Sequence, residues 1–171
     1  MMPLLSSISA RSTSAVRLCL RLPTLFLLVA ACEPTLIPNT HVEDTGQNRE
    51  VVDFVEKYRL AIESRNTGAL LALASRNYFD DMGTPAGQDD IDYDGLRAAL
   101  ERLREEVLGA RYQISYRSVS FDRDNHVLVD MLYTGWFRVN SHEGPSWRRR
   151  LEPHRIVLAR EDGQYRILSG M

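Results

Sequence analysis

The sequence predicts an α+β domain in which helical segments come first and consecutive antiparallel strands follow. Between residues 49 and 108, apolar residues recur at three- and four-residue spacing, as on one face of a helix. From residue 111 to the end the apolar period changes to two, and short turn signals separate the alternating stretches. Strands joined by short turns form an antiparallel meander, so we expect three helices packed on one face of such a sheet.

The first predicted helix spans residues 49–64. Val51, Val55, Tyr58 and Ile62 recur at the spacing that places side chains on one face, and charged residues occupy most of the other positions. This face is therefore expected to pack against the sheet.

Two more helices are predicted, with a loop between them. An Asn-Thr-Gly break follows the first helix, and Thr67 is the expected cap of a short apolar helix over residues 69–75. Residues 78–93 are rich in aspartate and also contain glycine and proline, which predicts a loop. A third helix over residues 95–108 carries a stripe of leucine and valine and is expected to end at Gly109.

Four strands are predicted after the helices. They cover residues 111–122, 127–137, 147–160 and 165–169. A tight turn over residues 161–164 joins the last two. Pairing across that turn places Leu158 opposite Ile167 and Ile156 opposite Ser169.

The N-terminal segment resembles a bacterial lipoprotein signal peptide. It holds three arginines and no acidic residue before an apolar core of about ten residues, whereas a membrane-spanning helix needs about 20. Val29-Ala30-Ala31-Cys32 is similar to the lipobox of such proteins, which implies removal of residues 1–31 and lipid attachment to Cys32. Glu33 follows instead of the aspartate that retains such proteins in the inner membrane, so we expect a lipid anchor in the outer membrane of a bacterial envelope.

The mature chain is expected to comprise the lipidated Cys32 with a flexible tether, residues 32–48, and one domain, residues 49–171. Three of the 21 basic residues and none of the 23 acidic residues precede Cys32. The formal charge of the mature chain is therefore −5. This charge argues against a nucleic-acid-binding protein, which is usually basic. The two cysteines are Cys19, within the signal, and Cys32, which excludes a disulfide or a cysteine metal site in the domain.

The order of elements and four segments resemble the nuclear transport factor 2-like superfamily, which includes ketosteroid isomerase and the polyketide cyclases. The segments are VEKYRLAI at 55–62, NTGALLAL at 66–73, DGLRAAL at 94–100 and DGQYRI at 162–167. The resemblance implies a cone-shaped domain, in which a curved sheet wraps the first helix and a pocket lies between them. Enzymes, ligand carriers and partner-binding modules share this scaffold, so the resemblance leaves the activity open.

Tyr58 matches the helix-one tyrosine of ketosteroid isomerase, which donates a hydrogen bond to the developing oxyanion. The base of that enzyme is an aspartate shortly after the second helix. Asp80 and Asp81 lie near this place but out of step, and the protonated acid of the isomerase oxyanion hole has no counterpart. The isomerase site is therefore incomplete, and a core tyrosine with a satisfied hydroxyl is the simpler interpretation of Tyr58.

A second candidate pair lies on the third predicted strand. Alternation through Pro153 places Glu152 and His154 on the same face as Ile156, toward the expected pocket. A polyketide cyclase uses such a pair for proton transfer, because imidazole titrates near neutral pH. A histidine that only fills the pocket rim is the commoner case, and Pro153 can introduce a bulge that reverses the faces.

The same strand contains three consecutive arginines. Alternation places Arg148 and Arg150 on one face and Arg149 on the other. We expect a solvated strand with cross-strand pairs to carboxylates. A contact with lipid headgroups or with an acidic partner is the alternative.

A set of oxygen-bearing residues has the spacing of a calcium-binding loop: Asp90, Asp92, Asp94, Gly95 and Glu101. The glycines and proline before this set argue against an entering helix, and an arginine occupies a loop position that is usually aliphatic. We therefore predict no bound metal and expect Asp92 or Asp94 to cap the third helix.

We expect an envelope-anchored protein whose domain binds a small apolar ligand or a protein partner, without catalysis and without a cofactor. Tyr58, Tyr133 and His154 are predicted to line its pocket. One alternative is a proton-transfer enzyme, isomerase-like or cyclase-like, that uses Tyr58 with His154 or Asp81.

A second alternative is an interaction subunit whose convex sheet face pairs with itself, as a homodimer, or with an envelope complex. Leu128, Leu132 and Trp136 would then be exposed. A closed and filled cone favours this alternative. An open pocket favours the enzyme if a carboxylate or histidine touches Tyr58, and favours ligand binding if neither does.

Overall fold

Three helices and six strands make up the described part of the chain. The helices are α1 (Gly46–Glu63), α2 (Thr67–Leu73) and α3 (Tyr93–Glu106). The strands are β1 (Phe79–Asp80), β2 (Ile91–Asp92), β3 (Val107–Phe121), β4 (Val127–Val139), β5 (Ser146–Glu161) and β6 (Gln164–Ser169). This computed structural model describes residues 34–83 and 87–171. No helix in those ranges is long and apolar enough to span a bilayer.

The main sheet is an antiparallel meander of four strands in the order β3-β4-β5-β6. The helices cover one side of it, here called the inner face, and the opposite side is called the outer face. Along β4, the inner-face residues Val127, Val129, Met131 and Tyr133 are buried and alternate with half-buried outer residues. The predicted α+β class is therefore confirmed.

α1 packs its apolar face against the inner face of the sheet. Val51, Val55 and Tyr58 are buried and Ile62 is partly buried, as their spacing predicts. The helix begins three residues before the predicted start, because Thr45 caps it by accepting a hydrogen bond from the Asn48 backbone N–H at 3.1 Å.

Part of the segment predicted as a tether, residues 32–48, packs on the domain. Leu36 and Glu43 form a bridge, and the His41 backbone N–H donates to the carbonyl of Tyr116 at 3.2 Å. Val42 is 1% exposed and belongs to the core. A loop that folds back on itself has no apolar period, so this segment was indistinguishable from a linker.

The other two helices differ from the prediction at their ends. Asn66, and not Thr67, caps α2, and Leu70 is its one buried residue. Asp92 caps α3 by accepting from the Gly95 backbone N–H at 2.8 Å. Gly109 does not end α3, since the strand β3 already starts at Val107.

Residues 78–93, predicted as a loop, contain the short antiparallel pair of β1 and β2. Phe79 pairs with Asp92, and Asp80 with Ile91. Two-residue strands are too short to produce a recognisable alternation, which is why composition alone indicated a loop here.

Inner and outer positions keep their alternation through Pro153 in β5. β4 pairs with β5 along its whole length, whereas β6 pairs only with the segment from Val157 onward. The strand is therefore an edge strand at Pro153, where the missing N–H breaks no ladder bond. Leu158 faces Ile167 as predicted, but a bulge after Val157 places Val157, and not Ile156, opposite Ser169.

Gly170 holds the last residues of the chain against β5. Its φ is +82°, and a Cβ there would lie 2.0 Å from the carbonyl oxygen of Arg155. Its N–H donates to the carboxylate of Asp80 at 2.7 Å, and its carbonyl accepts from Nε2 of His154 at 2.8 Å. Only glycine fits this position.

We expect Gly170→Ala to lower the free energy of unfolding by about 2 kcal/mol, because the variant adds both backbone strain and a clash. Thermal and urea denaturation measure the change. Gly46→Ala is the matched control, since Gly46 starts α1 and a Cβ added there would meet no atom within 4 Å. Equal stability of Gly170→Ala and wild type would contradict this description of the chain end.

Candidate functional site

A cavity of about 540 Å³ opens between the helices and the inner face of the sheet. This volume is within the range of small-molecule sites, roughly 300–1,000 Å³. α3 supplies an apolar wall, formed by Leu96, Ala99, Leu100 and Leu103. The opposite wall is formed by the sheet together with Tyr58 of α1, and it carries aromatic and polar groups.

Four rings form a continuous row along that second wall, here called the aromatic row: Tyr58, Tyr112, Tyr133 and His154. The ring centroids of Tyr58 and Tyr112 are 6.3 Å apart and meet edge to face. Tyr112 stacks on Tyr133 at 4.9 Å, and Tyr133 meets His154 edge to face at 5.7 Å. Such contacts hold flat surfaces in place, so the row is a preformed platform for an apolar or aromatic molecule.

Gly135 makes room for this row. It pairs with Tyr112 across β3 and β4, and it is buried. A Cβ at Gly135 would lie 2.5 Å from the ring of Phe137, which also lines the cavity. The absent side chain therefore lets Phe137 lie along the strand beside the stacked Tyr112 and Tyr133.

The hydroxyl groups in and beside the cavity are held in their neutral form. Burial raises the pKa of Tyr58, Tyr78 and Tyr112 well above the usual value of tyrosine. Burial and the Glu152 carboxylate also raise the pKa of Tyr133, whose hydroxyl donates to Glu152 at 3.0 Å. These hydroxyls can donate or accept hydrogen bonds without adding charge to the cavity.

His154 is oriented by the chain end. The Gly170 carbonyl can only accept, so Nε2 of His154 carries the proton of their 2.8 Å hydrogen bond. Asp80 secures the same segment, because it accepts from the Gly170 N–H and from the hydroxyl of Tyr78 at 3.2 Å. The imidazole is thus fixed at the end of the aromatic row.

Two arginines complete the cavity lining. Arg148 and Arg150 are on the inner face of β5 and are exposed to solvent as well. Arg150 interacts with the Tyr133 hydroxyl and partly offsets the rise of its pKa. Arg149 points to the outer face, where its guanidinium lies 5.8 Å from the ring centroid of Trp136. The cavity therefore combines a mainly apolar interior with two cationic groups in contact with solvent.

Known structures of similar architecture identify the fold. A proposed scytalone dehydratase from Novosphingobium aromaticivorans is 13% identical, with a TM-score of 0.61 over 72% of this chain and 80% of the other. The domain has the nuclear transport factor 2-like fold.

Other structures with this fold have different described roles. A hexachlorocyclohexane dehydrochlorinase is 12% identical, with a TM-score of 0.58 over 72% of this chain and 82% of the other. A proposed calcium/calmodulin-dependent protein kinase II association domain from Xanthomonas campestris is 16% identical, with a TM-score of 0.59 over 81% and 91% of the chains. No protein-family model matches the sequence, and a search of curated proteins finds no relative.

In this fold, the three pocket residues predicted from the sequence line one cavity. Tyr58 comes from α1, Tyr133 from β4 and His154 from β5. Whether they contact a ligand stays a prediction. The sequence interpretation missed Tyr112, although its inward position on β3 was apparent from alternation.

The sequence interpretation also missed the role of Arg148 and Arg150. Their common face was predicted correctly, but solvent and cross-strand carboxylates were expected around them. They line the cavity because β4 pairs with β5 in a register that places Arg148 opposite Phe137 and Arg150 opposite Gly135.

The pairs of Tyr58 with Asp81 or His154, proposed for proton transfer, are not assembled, whereas Glu152 and His154 share the inner face of β5 and both contact Tyr133. Asp81 is exposed and accepts from the Gly83 N–H at 3.0 Å, and it is not among the cavity-lining residues. Tyr112 and Tyr133 separate His154 from Tyr58 in the aromatic row. The groups that act on the Tyr58 hydroxyl are those of Tyr78, Tyr112 and Tyr133.

The residues with calcium-loop spacing do not converge. Among the described residues, the carboxylates of Asp90, Asp92, Asp94 and Glu101 do not form a metal-sized group, and Asp92 caps α3. Asp122, Asp124 and His126 do lie within 4.8 Å of one another at the turn between β3 and β4. Asp122 accepts there from the backbone N–H groups of the other two, so hydrogen bonding within the turn accounts for this cluster.

The predicted signal peptide and Cys32 lie outside the described residues. The anchor therefore remains a prediction from the sequence. Leu128, Leu132 and Trp136, expected on the convex face, are half-buried outer-face residues of β4.

Proposed function

We propose that this domain binds a small, mainly apolar molecule that carries one anionic group, and that binding requires no chemical step. The single observation that carries the proposal is the open cavity of about 540 Å³ with its aromatic row and its two arginines. An apolar wall on α3 faces a platform of stacked rings, so the body of the ligand would lie between them.

The apolar part of the ligand is supported by the composition of the two walls. Four α3 residues with aliphatic side chains face Tyr112 and Tyr133 across the cavity. Burying each square ångström of apolar surface contributes about 25 cal/mol, so a molecule of two or three rings gains several kcal/mol.

The anionic group is supported by the inner-face arginines. Arg148 and Arg150 line the cavity, whereas Glu152 is already hydrogen-bonded to Tyr133. A guanidinium binds a carboxylate, sulfonate or phosphate through two parallel hydrogen bonds. This pair would therefore fix the orientation of the ligand at the solvent side.

Ligand binding is favoured over proton transfer by the surroundings of Tyr58. The groups that influence its hydroxyl are other tyrosine hydroxyls, which stay neutral at ordinary pH. General acid–base catalysis needs a partner whose pKa lies near the working pH. Neither His154 nor Asp81 is positioned beside Tyr58 to serve as that partner.

We expect Ala99→Phe to weaken binding of 1-anilinonaphthalene-8-sulfonate by about tenfold, because the added ring occupies cavity volume and overpacking costs about 1–3 kcal/mol. This probe has an apolar ring system and one sulfonate. Fluorescence titration measures its affinity. Ala98→Phe is the matched control, since Ala98 is the neighbouring α3 residue but is exposed and outside the cavity lining. If both variants lose the same affinity for the probe, or if neither loses any, the cavity is not the binding site.

We expect Arg148→Gln with Arg150→Gln to weaken binding of the sulfonate probe by about tenfold, while an uncharged analogue is bound as before, because a charge-assisted hydrogen bond contributes about 1.5–3 kcal/mol. Competition between N-phenyl-1-naphthylamine and the sulfonate probe reports both affinities. Arg149→Gln removes a charge from the same strand on the outer face and is the control. If the double variant and Arg149→Gln weaken binding of the sulfonate probe equally, the proposed anionic group of the ligand is refuted.

We further propose that the domain is held at the outer membrane of a bacterial envelope through lipid on Cys32. The support is the sequence alone: a basic segment, a short apolar core and the Val29-Ala30-Ala31-Cys32 motif. Several acyl chains on one residue would anchor the domain stably.

Cys32→Ser is expected to abolish incorporation of labelled palmitate and to release the chain from the membrane fraction after a high-salt wash, because the acceptor thiol is lost. Cys19→Ser is the matched control and should keep both label and location, since Cys19 lies within the predicted signal. Palmitate retained after Cys32→Ser would refute the anchor.

A further inference from the structure

The outer face of the sheet has a charge opposite to that of the chain as a whole. The chain carries a formal charge of −2. Alternation and register place five arginines of the four strands on the outer face: Arg111, Arg138, Arg149, Arg155 and Arg166. Arg117, at a bulge of β3, is the sixth, because it borders a depression together with outer-face residues of β4 and β5.

The acidic residues of these strands offset little of this charge. Asp130 lies on the outer face and pairs with Arg155 at 2.7 Å. Glu152 accepts from Tyr133 at the cavity, and Glu161, at the far end of β5, accepts from the hydroxyl of the buried Ser75 at 2.6 Å. The strand register therefore concentrates positive charge on one broad surface of an acidic protein.

Exposed apolar side chains lie between the arginines. Trp147 is 52% exposed and Leu151 50% exposed, and both are on the outer face of β5. The guanidinium of Arg111 lies 5.6 Å from the ring centroid of Trp147, beside the similar pair of Arg149 and Trp136. Tryptophan with flanking arginine is the combination typical of the boundary between headgroups and acyl chains.

The same face also has a shallow depression. Its volume is about 500 Å³, and Arg117, Asp130 and Arg155 border it together with Leu132 and Pro153. Arg155 is paired with Asp130 there, so Arg117 is the guanidinium that would bind a phosphate headgroup, with apolar atoms below for the first part of its glycerol ester.

We propose that the outer face docks on a bilayer surface that contains anionic phospholipid. Charge complementarity favours this occupant over a second copy of the chain, because two such faces would bring like charges together. Apolar residues inserted at headgroup depth and arginines on phosphate would together hold the sheet against the bilayer. The inference is independent of the ligand proposed for the cavity, which opens on the inner face.

Co-sedimentation with vesicles tests the proposal. The probe is the full chain with Cys32→Ser, which removes the predicted lipid, mixed with vesicles of phosphatidylcholine alone or of equimolar phosphatidylcholine and phosphatidylglycerol. Binding to neutral vesicles measures the apolar contribution of the N-terminal segment, and the three arginines of that segment are common to every variant compared. The difference between the two vesicles measures the anion-dependent part, which should disappear at high salt because the charges are screened.

We expect Arg138→Gln with Arg149→Gln to lower the anion-dependent binding on the order of 30-fold, since each basic residue near such a surface contributes about fivefold. Arg102→Gln with Arg123→Gln is the matched control. This control removes the same net charge as the test pair, but from exposed positions on α3 and on the turn after β3. It should change binding by less than about twofold. Unchanged thermal unfolding verifies that each variant is folded.

Three outcomes would overturn the proposal. One is equal binding of the Cys32→Ser chain to neutral and to anionic vesicles, a result that needs no change in the outer face. Another is an equal loss in the test and control pairs, which would indicate net charge only. The third is a stable dimer in analytical ultracentrifugation that Arg138→Gln with Arg149→Gln dissociates, which would assign the face to a second copy.

Discussion

The strict alternation of side chains along β4 and β5 is the constraint on which the rest of the domain depends. Val127, Val129 and Met131 are buried against the helices, and every residue paired with them on β5 must share their face. A slip of one residue would reverse the faces of the whole strand. The apolar burial of this central pair therefore determines where each polar residue of β5 points.

This constraint divides a run of three arginines between two surfaces. Arg148 and Arg150 line the cavity, and Arg149 lies over Trp136 on the opposite face. The same run thus contributes to both the proposed ligand site and the proposed membrane surface. A protein held at a bilayer by its outer face would keep its cavity open on the side away from the lipid.

The fold was largely predictable, because it follows from periodicity and from turn signals that are local in sequence. The helix face of Val51, Val55 and Tyr58, and the facing of Leu158 and Ile167, needed no information beyond spacing. The misses have a common physical origin. The early segment around Val42, the bulge after Val157 and the strand start at Val107 are set by contacts distant in sequence, and local spacing does not report such contacts.

The sequence by itself determined the order of helices and strands and the inward positions of Tyr58, Tyr133 and His154. It also predicts a lipid anchor at Cys32. Only the tertiary structure decided that Tyr112 joins these three in one row, that Asp81 stays outside the cavity and that six arginines share one surface. Periodicity assigns a residue to a face of its own strand. The register between strands and the packing of helices on them decide which residues from different elements come together.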